Sequence, residues 1–253
     1  MDDEALLVLA TGLAERAGAE IRRIRDRGFE VQRKADASVV TEADHAAEAI
    51  IVAGLRAALP GCVVVAEEEA AGGAVTAATE TFWLVDPLDG TREFTSGGDD
   101  FAVNIGLVRN GKAVLGVVGV PATGEVFGGI VGVGAWRLKD GVRTPIEVRS
   151  EPAEGLTVVA SRHHGDQERL DAFLGGRTVA KVVNFGSSLK FCRLAEGEAD
   201  LYPRFGRTME WDTCAPHAVL EAAGGAVENV DGTPLRYGKP GWDNPHFVCW
   251  GAR

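Results

Sequence analysis

Between Phe101 and Leu138 the chain is committed to antiparallel sheet. Phe101 to Val108 and Ala113 to Val120 are apolar runs of strand length, joined through Asn110-Gly111. Both members of that pair tolerate the positive φ that a two-residue hairpin turn requires, so the two runs pair with each other. Glu125 to Val131 and Gly134 to Leu138 extend the meander. The stretch Ala113 to Trp136 is apolar enough to raise the question of a membrane span. Pro121, Thr123, Gly124 and Glu125 cut it into pieces too short to cross a bilayer.

On the N-terminal side the period changes to that of helices. Leu6, Leu9, Leu13, Ala17, Ile21 and Ile24 recur at helical spacing across Glu4 to Ile24, with charged residues between them. A second helix is predicted from Thr41 to Pro60-Gly61, and Arg33 to Val40 reads as a loop or hairpin between the two. Cys62 to Ala66 and Phe82 to Val85 are short apolar runs that end in acids, the pattern of buried strands. Beyond Ser150 strand and helix patterns alternate: Leu156 to Ala160, Gln167 to Leu174, Val179 to Val183, Leu189 to Glu196, then a helix over Asp212 to Ala223. With no repeat, linker or low-complexity tract, the 253 residues are expected to form one domain, with an N-terminal subregion (1–150) and a C-terminal α/β subregion (151–253).

The charge balance narrows the partners. Lys and Arg number 26 against 37 Asp and Glu, a formal charge of -11 that repels nucleic-acid backbones and anionic membrane surfaces. A small anionic substrate would then need a bound cation or a local basic patch to reverse the field at its site. Cys62, Cys192, Cys214 and Cys249 form no CxxC pair, which argues against a zinc site or a disulfide framework. The opening Asp2-Asp3-Glu4 lacks the basic start of a signal peptide, so a cytoplasmic location is expected.

The chemistry concentrates in Trp83 to Phe94, read as WLVDPLDGTREF. Asp86 ends an apolar strand, and Asp89 follows in a proline-directed turn, so two carboxylates converge. Gly90 permits a close approach that frees the amides near Thr91 to meet an anion. Oxygen ligands beside free amides suit Mg²⁺ and phosphate. Glu67, Glu68 and Glu69 follow the neighbouring strand. Asp212 is read as an N-cap of the last long helix, a position compatible with facing a metal. Thr41 and Asp44 have the spacing of a capping box. His163 and His164 lack a metal-ligating partner and read as surface residues.

Together, Glu67-Glu68, DPLDGTREF and WDTCAPHA (from Trp211) resemble the inositol monophosphatase superfamily of metal-dependent phosphatases, in order and in spacing. Within it, KADASVVTEAD (Lys34 to Asp44), GSSLKFCRLAEGEADLYPRFG (Gly186 to Gly206) and WDTCAPHAVLEAAGG are most similar to the CysQ-type 3'(2'),5'-bisphosphate nucleotidases. The resemblance implies a layered αβαβα sandwich, the α+β sugar-phosphatase fold. It also implies Mg²⁺ as cofactor. Glu67, Asp86 and the Leu88 carbonyl would hold one ion, and Asp86, Asp89 and Asp212 a second, with a third, weaker ion near Glu67 in the family. Thr91, hydrogen-bonded to Asp44, would help deprotonate the attacking water. Leu88, Asp89, Gly90, Thr91 and Asp212 would also border the substrate. Arg92 stands where many relatives carry Lys, and Pro216-His217 where Gly-His is common.

The activity so implied is removal of the 3'-phosphate of adenosine 3',5'-bisphosphate, with inositol 1-phosphate or another sugar phosphate as the alternative substrate. Gly186, Ser187, Ser188, Lys190 and Arg204 are the candidate contacts for the nucleotide or its remaining phosphate. Lithium sensitivity and a setting in sulfate assimilation follow from the same resemblance. A catalytically idle metal- or nucleotide-binding module is the competing class. It fits poorly with a chain in which every matching position is filled.

Overall fold

The computed structural model describes residues 1–33, 39–74, 76–161 and 167–252. His163 and His164 lie outside the described residues. The elements follow in chain order as α1 (Asp3–Arg27), β1 (Val31–Arg33), β2 (Val39–Thr41), α2 (Glu42–Ala58), β3 (Val64–Ala66), α3 (Glu67–Ala71), β4 (Thr81–Asp89) and α4 (Thr91–Thr95). Next come β5 (Ala102–Arg109), β6 (Lys112–Val120), β7 (Glu125–Ile130), β8 (Gly134–Lys139) and β9 (Val142–Ile146). The remainder is β10 (Leu156–Ser161), α5 (Gln167–Leu174), β11 (Val179–Phe185), α6 (Leu189–Ala195), β12 (Leu201–Arg204), α7 (Glu210–Ala222), β13 (Ala226–Asn229) and β14 (Phe247–Trp250).

Strands β3 to β9 lie in sequence order in a seven-stranded sheet whose pairs are antiparallel except β3 with β4. The expected hairpin forms between β5 and β6, with Asn110 at φ 51° and Gly111 at φ 70°. Asp140-Gly141 repeats the device at φ 51° and 77°, joining β8 to β9, a strand the sequence reading did not include. The second sheet runs β11-β10-β12-β14-β13; its two β10 pairs are parallel and the other two antiparallel. Strands β12, β13 and β14, four residues each, also went unread.

Period-two alternation turns these sheets into layers. On β4, Trp83 and Val85 join the core formed with α1 and α2, while Phe82 and Leu84 join the core formed with α6 and α7. On the second sheet, Val159, Tyr202 and Cys249 face α6 and α7, whereas Val158, Leu201 and Val248 pack with Leu170 and Leu174 of α5. The order is therefore helix, sheet, helix, sheet, helix, as expected for the layered αβαβα sandwich.

The middle helix layer is seated by missing side chains. Gly106 of β5 pairs with Gly116 of β6, which pairs with Gly129 of β7. A Cβ on Gly116 would stand 2.0 Å from the Ala215 carbonyl oxygen, and one on Gly106 2.7 Å from the Ala215 amide. Helix α7 thus lies directly on a bare track across three strands, and that contact brings its first turn to the open end of β4.

Candidate active site

The open end of β4 is a β-bulge. Asp86 faces Asn104 across the ladder, yet Asp89, three residues on, faces Ala102, so β4 carries one residue more than β5 over this span. Pro87, which has no N–H to give a ladder, lies in the surplus. A turn was expected here; the strand instead continues through Pro87 to Asp89. Residues three apart on a regular strand point to opposite faces, and the extra residue restores them to one side. Leu88 N–H donates to Asp86 Oδ1 at 3.0 Å, and Ser188 N–H donates to Asp89 Oδ2. Gly90 follows at φ 94°, where a Cβ would stand 2.8 Å from the Asp100 carbonyl oxygen, and α4 then opens with Thr91.

Helix α2 brings up the next group. Thr41 caps it by accepting from Ala43 N–H at 3.1 Å, and Asp44 Oδ2 accepts from the Thr41 amide at 2.8 Å and its hydroxyl at 2.7 Å. The capping box is therefore real, and it leaves Asp44 Oδ1 to accept from Thr91 Oγ1 at 2.9 Å. Thr91 Oγ1 also lies 3.0 Å from the Leu88 carbonyl. Asp212 departs from its expected place: the cap of α7 is Met209, and Asp212 sits at the third helical position, where its carboxylate accepts from Met209 N–H at 2.8 Å. Helix α7 starts two residues earlier than expected, because Glu210 is drawn into the core by Gly238 N–H and Lys239.

One cavity of about 240 Å³ collects these groups. Glu67, Asp86, Leu88, Asp89, Gly90, Thr91, Gly186, Ser187, Ser188, Lys190, Arg204 and Asp212 all line it, and Asp44 stands behind Thr91. Burial, then the charges of Glu67, Asp89 and Asp212, push the Asp86 carboxyl well above the usual range. Asp212 is raised in the same way by burial and by Asp89 and Glu67. Burial also raises Asp89, against the opposing pull of Lys190 and the Ser188 amide. Asp44 is raised by burial and partly restored by its donors Thr41 and Thr91.

Arg92, Lys190 and Arg204 share the lining with the acids. Lys190 is buried, donates to the Ser187 and Phe185 carbonyls, and has its amine brought down by burial to about 8. Arg204 Nη2 donates to the Arg207 carbonyl at 3.1 Å, and its buried Nε finds no hydrogen-bond partner among the described residues. Ser188 points its hydroxyl at Asn104 Oδ1, 2.8 Å away, so that proton is committed inside the protein.

Does this cavity suit a divalent cation? Among the described residues no three acidic, His or Cys side chains already form a ready-made metal cage; Asp86, Asp89 and Asp212 each hold a backbone amide instead. Their charges nevertheless raise one another. Among the described residues Glu67, Asp86, Asp89, Glu93 and Asp212 line the cavity against Arg92, Lys190 and Arg204, an excess of negative charge. The donors are all oxygen, the preference of Mg²⁺. The residues fit the ion.

Several participants escaped the sequence reading. Asn104, fully buried on β5, and Asp100, which accepts from Gly186 N–H at 3.1 Å, hold the second-sheet loop against the start of β5. A lone polar residue at an inward position of an apolar strand was the available signal for Asn104. Phe191, Tyr202 and Phe247 form an aromatic wall that only the fold assembles.

The chain belongs to the inositol monophosphatase family, whose model matches residues 2–246. Within that family it is similar to the 3'(2'),5'-bisphosphate nucleotidase CysQ of Escherichia coli (strain K12), 45% identical over 227 residues, covering 89% of this chain and 91% of that protein. Among solved structures it resembles CysQ from Bacteroides thetaiotaomicron at 35% identity, with 98% of each chain covered and a TM-score of 0.81. An inositol monophosphatase from Anabaena (Nostoc) sp. PCC 7120 shares 29% identity and a TM-score of 0.77, over 98% of this chain and 91% of that one.

Proposed function

We propose that this chain is a Mg²⁺-dependent 3'(2'),5'-bisphosphate nucleotidase that converts adenosine 3',5'-bisphosphate to AMP and phosphate. The observation that supports the reading is the mixed charge of one cavity, which Glu67, Asp86, Asp89 and Asp212 line together with Lys190 and Arg204. Glu67, Asp86, Asp89, Asp212 and the Leu88 carbonyl would hold Mg²⁺, which when bound polarises the phosphoryl oxygens and acidifies a ligated water. Family likeness implies two such ions, with a third of lower affinity.

The residues of the chain then have separable tasks. Thr91 has one hydroxyl proton. Donating it to Asp44 Oδ1 leaves the oxygen lone pairs to accept a proton from the attacking water. Burial makes Asp44 a more basic acceptor than an exposed aspartate, which favours that transfer. The water oxygen bonds to phosphorus as the bond to the 3'-oxygen breaks. Among the described residues no serine or cysteine of the cavity has a paired base that would make it the nucleophile. Lys190 and the guanidinium of Arg204 supply positive charge for the 5'-phosphate, and Gly186 and Ser187 line the same cavity. Gly90 keeps the amide end of α4 within close reach of the substrate.

A cytoplasmic setting, a part in sulfate assimilation and lithium sensitivity through a magnesium site belong to the same reading. The four free cysteines agree with a reducing compartment, and no helix among the described residues is long and apolar enough to cross a membrane.

Phosphate release with Mg²⁺ tests the assignment, comparing adenosine 3',5'-bisphosphate, its sulfated analogue, inositol 1-phosphate and fructose 1,6-bisphosphate. The expected result is a kcat/KM at least about tenfold higher for the nucleotide, since the 5'-phosphate contacts are worth upwards of ~1.4 kcal/mol. Equal or better turnover of inositol 1-phosphate overturns the nucleotide assignment, and undiminished release in EDTA overturns the metal.

A further inference from the structure

We propose that Glu48 is a positioning residue for Glu67, fixing the short helix that presents Glu67 to the cavity. Helix α3 has only five residues, and its N-cap is Ala66, whose side chain carries no capping oxygen. A helix of that length cannot sustain itself, and its first amides have no intrahelical acceptor. Glu48, on α2, fills the gap from 20 residues away. Its Oε2 accepts from Glu68 N–H at 2.7 Å and its Oε1 from Glu69 N–H at 2.8 Å, with only 6% of the residue exposed. The carboxylate thus replaces a cap that the sequence of α3 does not supply.

The same helix grips α3 twice. Two turns beyond Glu48, Arg56 pairs with both oxygens of Glu69, each at 2.8 Å. One turn before Glu48 stands Asp44, which holds Thr91. Residues four apart share a helix face, so one face of α2 sets both Thr91 and Glu67. Without Glu48 the run Glu67, Glu68, Glu69 would lose the acceptor that anchors it, while repulsion from Asp86 and Asp212 pushes Glu67 away from the cavity.

The inference rests on reading Glu67 as a Mg²⁺ ligand, and the test separates the two. Glu48→Ala and Glu48→Gln are compared with the parent by amide hydrogen exchange across residues 66–71 without Mg²⁺, and by calorimetric titration with Mg²⁺ alone. Gln keeps one acceptor oxygen where two amides need two, so it should fall between parent and Ala. The expected result is faster exchange confined to α3 and Mg²⁺ affinity about tenfold weaker in Glu48→Ala, with KM at saturating Mg²⁺ moving far less. Unchanged exchange in α3 overturns the proposal, and so does faster exchange with unchanged Mg²⁺ affinity. If Glu48→Ala does not fold, Glu48→Gln decides by the same two readouts. Exchange and Mg²⁺ responses as expected in a protein without nucleotidase activity would leave Glu48 in its role and remove the nucleotide reading.

Discussion

Asp89 sits where three demands meet: it terminates the bulge, accepts the Ser188 amide, and borders the cavity beside Lys190. Asp89→Asn keeps the shape and an acceptor oxygen but removes the charge. The expected consequence is a fall in kcat on the order of 10²-fold or more, about 2.7 kcal/mol of barrier, with an unaltered circular dichroism spectrum. A kcat within twofold of the parent would exclude Asp89 from the metal set. Lys190 gives a pH signature. Its amine is charged below about 8 and neutral above, so the cation proposed to face the 5'-phosphate disappears as pH rises. KM for adenosine 3',5'-bisphosphate should climb between about pH 7 and about pH 9, while Lys190→Met should show a high KM throughout. A flat parent profile would place the phosphate elsewhere.

Helix α7 owes its position to the strands beneath it as much as to its own sequence. The Gly106, Gly116 and Gly129 track lets its backbone touch the sheet, and Asp212 reaches the cavity because the helix lies there. Gly116→Ala would put a methyl 2.0 Å from the Ala215 carbonyl, a backbone atom that cannot swing aside. The expected cost is about 1–3 kcal/mol in urea unfolding, with activity lost out of proportion because Asp212 is displaced. Gly12→Ala, whose Cβ would meet nothing within 4 Å, serves as the control that leaves both unchanged or slightly improved.

A chain with formal charge -11 that gathers buried Asp86 with half-buried Asp89 and Asp212 gives up stability, which the proposed Mg²⁺ would restore. Their folded-state pKa values are raised, so in the folded protein these groups bind protons more tightly than in the unfolded chain. Their contribution is fully favourable below the ordinary aspartate value and is lost as pH rises through the raised values. Mg²⁺ bound to the ionised cluster should reverse that loss. The gap in unfolding free energy between protein in Mg²⁺ and protein in EDTA, read by urea unfolding, is expected to widen over the pH range above the ordinary aspartate value, reaching about 2.7 kcal/mol when Mg²⁺ is at 100 times its Kd. A gap that stays constant across that range would argue against a buried acidic cation site.

The sequence by itself determined the elements whose signal is local. Asn110-Gly111 specified a hairpin through backbone conformation, the period of α1 and α2 specified their buried faces, and Thr41 with Asp44 specified a cap that the structure shows bond for bond. It also carried the family, because three acidic motifs in fixed order are legible without a fold. Contacts over long sequence separations carry no such signature. The bulge at Pro87 needed β5 as a ruler, the start of α7 needed Gly238 and Lys239, and the cap of α3 needed Glu48 from another helix. Strands β12 to β14, four residues each, are too short to show a period and exist because neighbours supply their hydrogen bonds. Tertiary structure alone decided which buried carboxylates repel one another, since that depends on distance through a low-dielectric interior rather than on order along the chain.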